Sequence, residues 1–209
     1  MQLWTIQGIE IYERVKRDGI AYCTEPNWKD SEEFMYAYRW IARQMRQRIG
    51  EPPLEGVEYP MWAWYQYESA KKKKPTRSPH NIPEGISAYM EIEVPDNEVL
   101  LSDFDLWHFA LNQWALDDSK IDKEIERLEK EAGQRLEYAE YPQPLRDRIE
   151  KTWEGIFDLE RRGKREKYKR NRSIQATFWA LKEEYIISAE FLKREGESVT
   201  PFTPSVESL

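Results

Sequence analysis

The sequence predicts an α+β fold, a single domain around a mainly antiparallel sheet with flanking helices. Three observations lead there. Six or seven segments carry the apolar–polar alternation of strands, helical segments of unequal length interrupt them, and no regular strand–helix–strand repeat signals a parallel sheet. The 209 residues suffice for one well-buried core, expected over 1–194, with the Ser-, Thr- and Pro-rich stretch 195–209 as a flexible tail.

The first strand is Leu3-Trp4-Thr5-Ile6-Gln7, with Trp4 and Ile6 on one side and Leu3, Thr5 and Gln7 on the other. Ile11, Tyr12 and Val15 then recur at helical spacing through Asp18, and Gly19 stands where a helix ends. A second strand is expected over 20–24. Asp30 and Glu33 have capping-box spacing ahead of a longer helix bearing Phe34, Tyr38, Ile41, Met45 and Ile49, which Gly50 and Pro52-Pro53 terminate.

In 59–67 Trp62, Trp64 and Gln66 share one side opposite Met61, Ala63, Tyr65 and Tyr67, so both sides are bulky and the strand is expected to be covered twice. Stacked indoles there fill a core or floor a pocket for a planar ring. Residues 71–77, with Arg77 last, form a basic loop, either a phosphate contact or a solvated turn.

Residues 86–114 read as strand, turn, strand and helix. Ile86, Ala88, Met90, Ile92 and Val94 alternate with polar neighbours, predicting one buried and one wet face. Pro95-Asp96-Asn97 reverses the chain before Val99-Leu100-Leu101, and Ser102 is the expected N-cap of a helix whose apolar face is Phe104, Trp107, Leu111 and Trp114. Beside that face Asp105, His108 and Asn112 fall at i, i+3 and i+7. The stripe reads either as a capping Asp with a rim His bonded to it, or as the lining of a cleft in which a carboxylate sets the charge of an imidazole for proton transfer or substrate orientation.

Ser119 is the expected cap of a charged surface helix with Ile121, Ile125, Leu128 and Ala132 as its seam. Leu145, Ile149, Trp153 and Ile156 mark another amphipathic helix. The run 161–172 holds eight cations against one Glu, fitting a polyanion partner or a solvated loop facing the acidic helix. Residues 173–181 alternate again, with Gln175, Thr177 and Trp179 on one side, and a last strand is expected over 186–192.

Composition narrows the function. With 32 basic and 39 acidic residues the net charge is −7, against a protein devoted wholly to duplex DNA. Cys23 is the only cysteine and His80 and His108 the only histidines, so neither a disulfide nor a metal is expected and a reducing, cytoplasmic setting is. No apolar run approaches the roughly 18 residues of a membrane span, and no secretory leader is read at the start. Gly-rich phosphate loops, G-x-S-x-G elbows and H-E-x-x-H pairs are all missing from the sequence. Nine Trp and twelve Tyr in a chain of mean hydropathy −0.87 mean that rings fill much of the core, with some left for a pocket.

The chain resembles a family of bacterial proteins catalogued as a domain of unknown function, on Leu3-Trp4-Thr5-Ile6-Gln7, Pro60-x-Trp-Ala-Trp-Tyr65, the run from Glu93 to His108 and Gln175-Ala-Thr-Phe-Trp179. The likeness extends to about residue 194. A more distant resemblance is to the ADP-ribosyltransferase-like fold, in which a first strand of the 3–7 type begins an NAD cleft, aromatic residues stack the nicotinamide and a late strand supplies a catalytic Glu or its substitute. It implies NAD as substrate, Trp64 or Trp179 stacking a base, Thr5 and Gln7 bonding an amide or ribose, and Arg77 meeting a phosphate. Here Thr5 stands where that family has His or Arg, and Gln175 or Thr177 where it has Glu, so altered chemistry through Asp105, His108 and Gln175 is implied. The alternative is a non-catalytic binder gripping nucleic acid or an acidic protein with 71–77 and 161–172. The enzyme reading expects Thr5, Trp64, His108 and Gln175 around one hollow.

Overall fold

The computed structural model describes residues 1–26, 31–72, 82–160 and 172–204. The chain runs through β1 (Gln2–Gly8), α1 (Ile9–Asp18), β2 (Ile20–Tyr22), α2 (Glu32–Ile49), β3 (Met61–Gln66) and β4 (Gly85–Glu93). It continues through β5 (Leu100–Asp103), α3 (Phe104–Leu111), α4 (Ser119–Ala132) and α5 (Gln143–Trp153). It closes with β6 (Ile174–Phe178), β7 (Ala180–Lys182), β8 (Ile186–Glu195) and β9 (Ser198–Phe202). Seven strands form one antiparallel sheet in the order β5-β6-β3-β1-β4-β8-β9, and β2 with β7 forms a small second one. This is the α+β class predicted.

Local signals act where expected. α1 ends at Gly19, whose φ of +76° is a left-handed conformation that suits glycine, and its N–H donates to Val15 O at 2.8 Å. The longer helix is capped by Ser31, whose hydroxyl accepts from Phe34 N; Asp30 lies outside the described residues. The caps assigned to Ser102 and Ser119 each move by one residue. Asp103 accepts from Asp105 N and Leu106 N, and Asp118 from Lys120 N and Ile121 N, and each carboxylate sets a negative charge at the positive end of the helix dipole, which a hydroxyl does not. α3 stops at Leu111, so Trp114 leaves the apolar face and is 54 % exposed.

Helices cover both faces of the large sheet. On one, Leu3, Met61, Ala63, Met90 and Phe178 pack with Val15 of α1 and with Ala21 and Leu181 of the small sheet. On the other, Leu100 and Trp62 meet Trp40 and Met45 of α2, Trp107 of α3 and Trp153 of α5. The wet face expected of β4 is corrected over its first half, since Ser87 and Tyr89 are as buried as Ala88 and Met90, whereas Glu93 at its end is exposed as expected. The tail expected from residue 195 is corrected too, because Ser198–Phe202 pairs with β8 from Glu195 opposite Ser198 to Phe191 opposite Phe202. Among the described residues no helix is long and apolar enough to cross a membrane.

Tyr36 and Tyr138 meet edge-on at 5.5 Å beneath α5, and the Tyr36 hydroxyl donates to Glu150. Burial pushes both phenols above the usual tyrosine range. Their stabilising contribution is therefore complete below the unfolded value near pH 10 and is lost as pH rises through the folded values. The Tyr36→Phe/Tyr138→Phe protein should show a shallower fall in denaturation midpoint between about pH 9 and 11. Parallel curves would show that these phenols do not govern alkaline stability.

Candidate functional site

The site forms at a seam in the sheet. β1 pairs with β4 over seven residues, from Gln2 opposite Glu93 to Gly8 opposite Ser87. Against β3 the described residues hold one register pair, Trp4 opposite Trp64. Beyond it the two strands do not continue as a ladder, and a side chain takes over. The Thr5 hydroxyl donates to Trp62 O at 2.8 Å and accepts from Gln7 Nε2 at 2.8 Å, satisfying a carbonyl that an adjacent strand would otherwise meet. A cleft of about 800 Å³ opens there, lined by Thr5 to Gly8 of β1 and by Met61 to Trp64 of β3. Consecutive residues from each strand line it, so it is reached from both sides of the pleat.

One end is aromatic. Tyr38, Trp62, Trp64, Phe104 and Trp107 line it together with Gln175 of β6, which lies opposite Trp64 in register. Trp62 and Trp107 have centroids 5.2 Å apart, Tyr38 meets both edge-on, and Phe104 meets Trp64 at 5.1 Å. The other end, under α1, is polar and carries Glu10, Arg14, Cys23, Glu25 and Glu84. Arg14 is half-buried and has no hydrogen bond or ion pair to a carboxylate among the described residues. The Glu10 carboxylate occupies the space that a Cβ on Gly8 would need, so this glycine serves close approach and not an unusual backbone angle. Burial pushes the Cys23 thiol up, away from the thiolate.

Of the residues singled out in the sequence, Thr5, Gln7, Trp64 and Gln175 line this cleft. The α3 stripe does not. Phe104, Trp107 and Leu111 face the cleft, which turns Asp105, His108 and Asn112 outward, where all three are exposed. The His108 Nδ1 bonds Phe104 O at 2.9 Å, its ring meets the Phe104 ring edge-on, and Asn112 Nδ2 donates to His108 O at 2.7 Å. His108 and Asn112 thus bond backbone carbonyls at the rim, but the imidazole bonds Phe104 O and not Asp105, and the cap of α3 is Asp103, which corrects the expected capping Asp105 with a His bonded to it. Burial, and after it the nearby Asp103, pushes the Asp105 carboxyl up.

Trp179 is core. Its indole donates to Gly50 O at 2.9 Å and lies under Arg46, away from the cleft. Arg77 lies outside the described residues, as do Lys73, Lys74 and 161–171. At the described ends of the basic loops Lys71 sits over Tyr65, Lys72 pairs with Glu68, and Arg172 pairs with Asp103 at 2.6 Å. Those cations already have partners, which weakens a grip on polyanions there. Sequence reasoning missed Glu10 and Arg14. Their spacing of four on the helix directly behind the first strand was the available signal, since it places both on one side beside Gly8.

A family model described as a domain of unknown function (DUF3841) matches residues 2–187. No curated protein and no solved structure matches the chain.

Proposed function

The chain belongs to the DUF3841 family, a domain of unknown function, and from that premise we propose that it is an ADP-ribosyltransferase-like enzyme that binds NAD, or a related nucleotide, at the seam between β1 and β3. One observation carries this reading: Thr5, Gln7, Trp64 and Gln175, which come from three different strands, share one cleft of about 800 Å³. That volume lies within the roughly 300–1,000 Å³ of small-molecule and cofactor sites, and the lining has their usual character of rings with a few convergent polar groups. A first strand at the mouth, rings beside it and a late-strand amide are the features that the resemblance implies.

Trp64 stacks a ring of the ligand, and Arg14 at the polar end meets a phosphate. Transfer breaks the bond between the ribose C1′ and the nicotinamide nitrogen, which leaves with the electron pair, while a nucleophile bonds C1′ and gives up its proton. Gln175 cannot take that proton. Glu10, Glu25 and Glu84 are the carboxylates that line the cleft among the described residues.

Titration with NAD should give saturable heat, with nicotinamide released on incubation. Trp64→Ala should weaken binding about tenfold or more, because base–aromatic stacking contributes roughly 1–3 kcal/mol. An intact fold that gives no heat with NAD, ATP or short RNA would end this reading.

A further inference from the structure

Two buried polar atoms at the aromatic end have no partner among the described residues: the Trp62 indole Nε1 and the Gln175 carboxamide Oε1. Five such atoms occur among the described residues, and these two are the ones whose residues line the cleft. Buried polar groups are nearly always hydrogen-bonded, so an unmatched pair in the wall of a cavity points to a partner that reaches it when the rings around it give way. An indole N–H donates only, and an amide oxygen accepts.

The register places the two within reach of one small molecule. Trp62 lies opposite Thr177 and Trp64 opposite Gln175, so Trp62 and Gln175 are diagonal neighbours on the same face of β3 and β6. Such neighbours are about 7–8 Å apart. Thr177 does not fill the gap, since its hydroxyl donates to Leu100 O on the opposite flank. Tyr38, Trp64, Phe104 and Trp107 surround the position with ring surface. A flat molecule fits there, and its edge must bring an acceptor for the indole beside a donor for the glutamine.

We propose that the aromatic end of the cleft is a specificity subsite for a planar heterocycle with an amide-type edge, held by the Trp62 N–H and the Gln175 carbonyl. This rests on reading the cleft as a nucleotide site and adds which group of the ligand is recognised. Nicotinamide, a uracil ring and the N1/N6 edge of adenine share that donor–acceptor chemistry. They serve as three arms of one experiment.

Binding of nicotinamide, uridine and adenosine is measured by calorimetry beside 3-acetylpyridine, N3-methyluridine and purine riboside, which keep the ring and the acceptor but lack the donor. Wild-type protein should prefer at least one parent compound over its analogue about tenfold, the worth of one buried hydrogen bond. Gln175→Met, which keeps the length and loses the acceptor, should bring the parent down to its analogue and leave the analogue unchanged. Trp62→Phe, which keeps a ring and loses the donor, should weaken both. Near-ultraviolet circular dichroism confirms that each variant is folded.

Equal affinity for parent and analogue in wild-type protein overturns the proposal, and so does a Gln175→Met variant that weakens both alike. Failure of all three parents to bind overturns it as well. If NAD still binds, and binds both variants as tightly as wild type, the cleft stands as a nucleotide site and only the subsite is lost.

Discussion

Trp153→Ala is expected to lower folding stability by about 4 kcal/mol, the scale of burying and then deleting a large ring. Trp153 is fully buried at the end of α5, with Trp40 edge-on at 5.5 Å and Tyr138 and Tyr36 at 6.1 and 6.3 Å. Its indole donates to Trp114 O at 2.7 Å, and at the preceding residue Leu116 N donates to the Thr152 hydroxyl at 2.8 Å. α5 therefore clamps the segment that follows α3. Truncation opens a cavity under three rings and strips a carbonyl of its partner, so two penalties act at one place. Since a whole domain is stable by roughly 5–15 kcal/mol, the variant should melt far earlier in guanidinium. Trp153→Phe keeps most of the ring and loses the donor, so it should fall between. A midpoint for Trp153→Ala close to wild type, at unchanged slope, would show that this ring cluster does not hold the helical layer.

Asp103→Ala is expected to reach a similar size by a different route, and to damage ligand binding as well. The Asp103 carboxylate is nearly buried between β5 and α3; one oxygen accepts from Asp105 N and Leu106 N, the other from Arg172 Nε at 2.6 Å. Arg172 also donates to Leu159 O. Without the carboxylate a largely buried guanidinium loses its counter-charge and the first turn of α3 loses its cap. Breaking a buried pair from one side costs about 3–5 kcal/mol, and a lost cap about 1, the two overlapping. Because α3 carries Phe104 and Trp107 on the cleft wall, any ligand held there should bind more weakly. Asp103→Ala/Arg172→Met should recover part of the loss, since it removes the stranded charge. A double variant no more stable than Asp103→Ala would show that the pair's charge is not what matters, and undiminished binding in Asp103→Ala would separate α3 from the cleft.

Elements set by neighbours along the chain were legible in the residues. α1 starts and stops where its spacing and Gly19 indicate, and β3 alternates its two bulky sides as read. The one-residue errors at Ser102 and Ser119 arose where two cap-forming residues adjoin, and for Asp103 a contact elsewhere decides between them. For Asp103 that contact is Arg172, which lies beyond α5 in the chain. Trp64 and Trp179 looked alike as candidate stacking residues. One lines the cleft and the other is sealed by Gly50 and Arg46, because a ring's role follows from what covers it.

The site divides the same way. Polar residues on aromatic strands marked Thr5, Gln7 and Gln175, and crowded rings marked Trp64, whereas the Asp105–His108–Asn112 stripe looked equally functional and faces out. Helical spacing tells which residues share a side and not which side meets the cleft. The strand periods, the helix ends and the crowding of rings follow from backbone geometry and side-chain chemistry, so the residues alone dictated them. That β5 crosses to the far edge beside β6 and not back against β4, and that β1 parts from β3 after one pair, was decided by closing the sheet over long loops. Such pairings depend on which surfaces the two helical layers can bury together, and no local pattern carries that information.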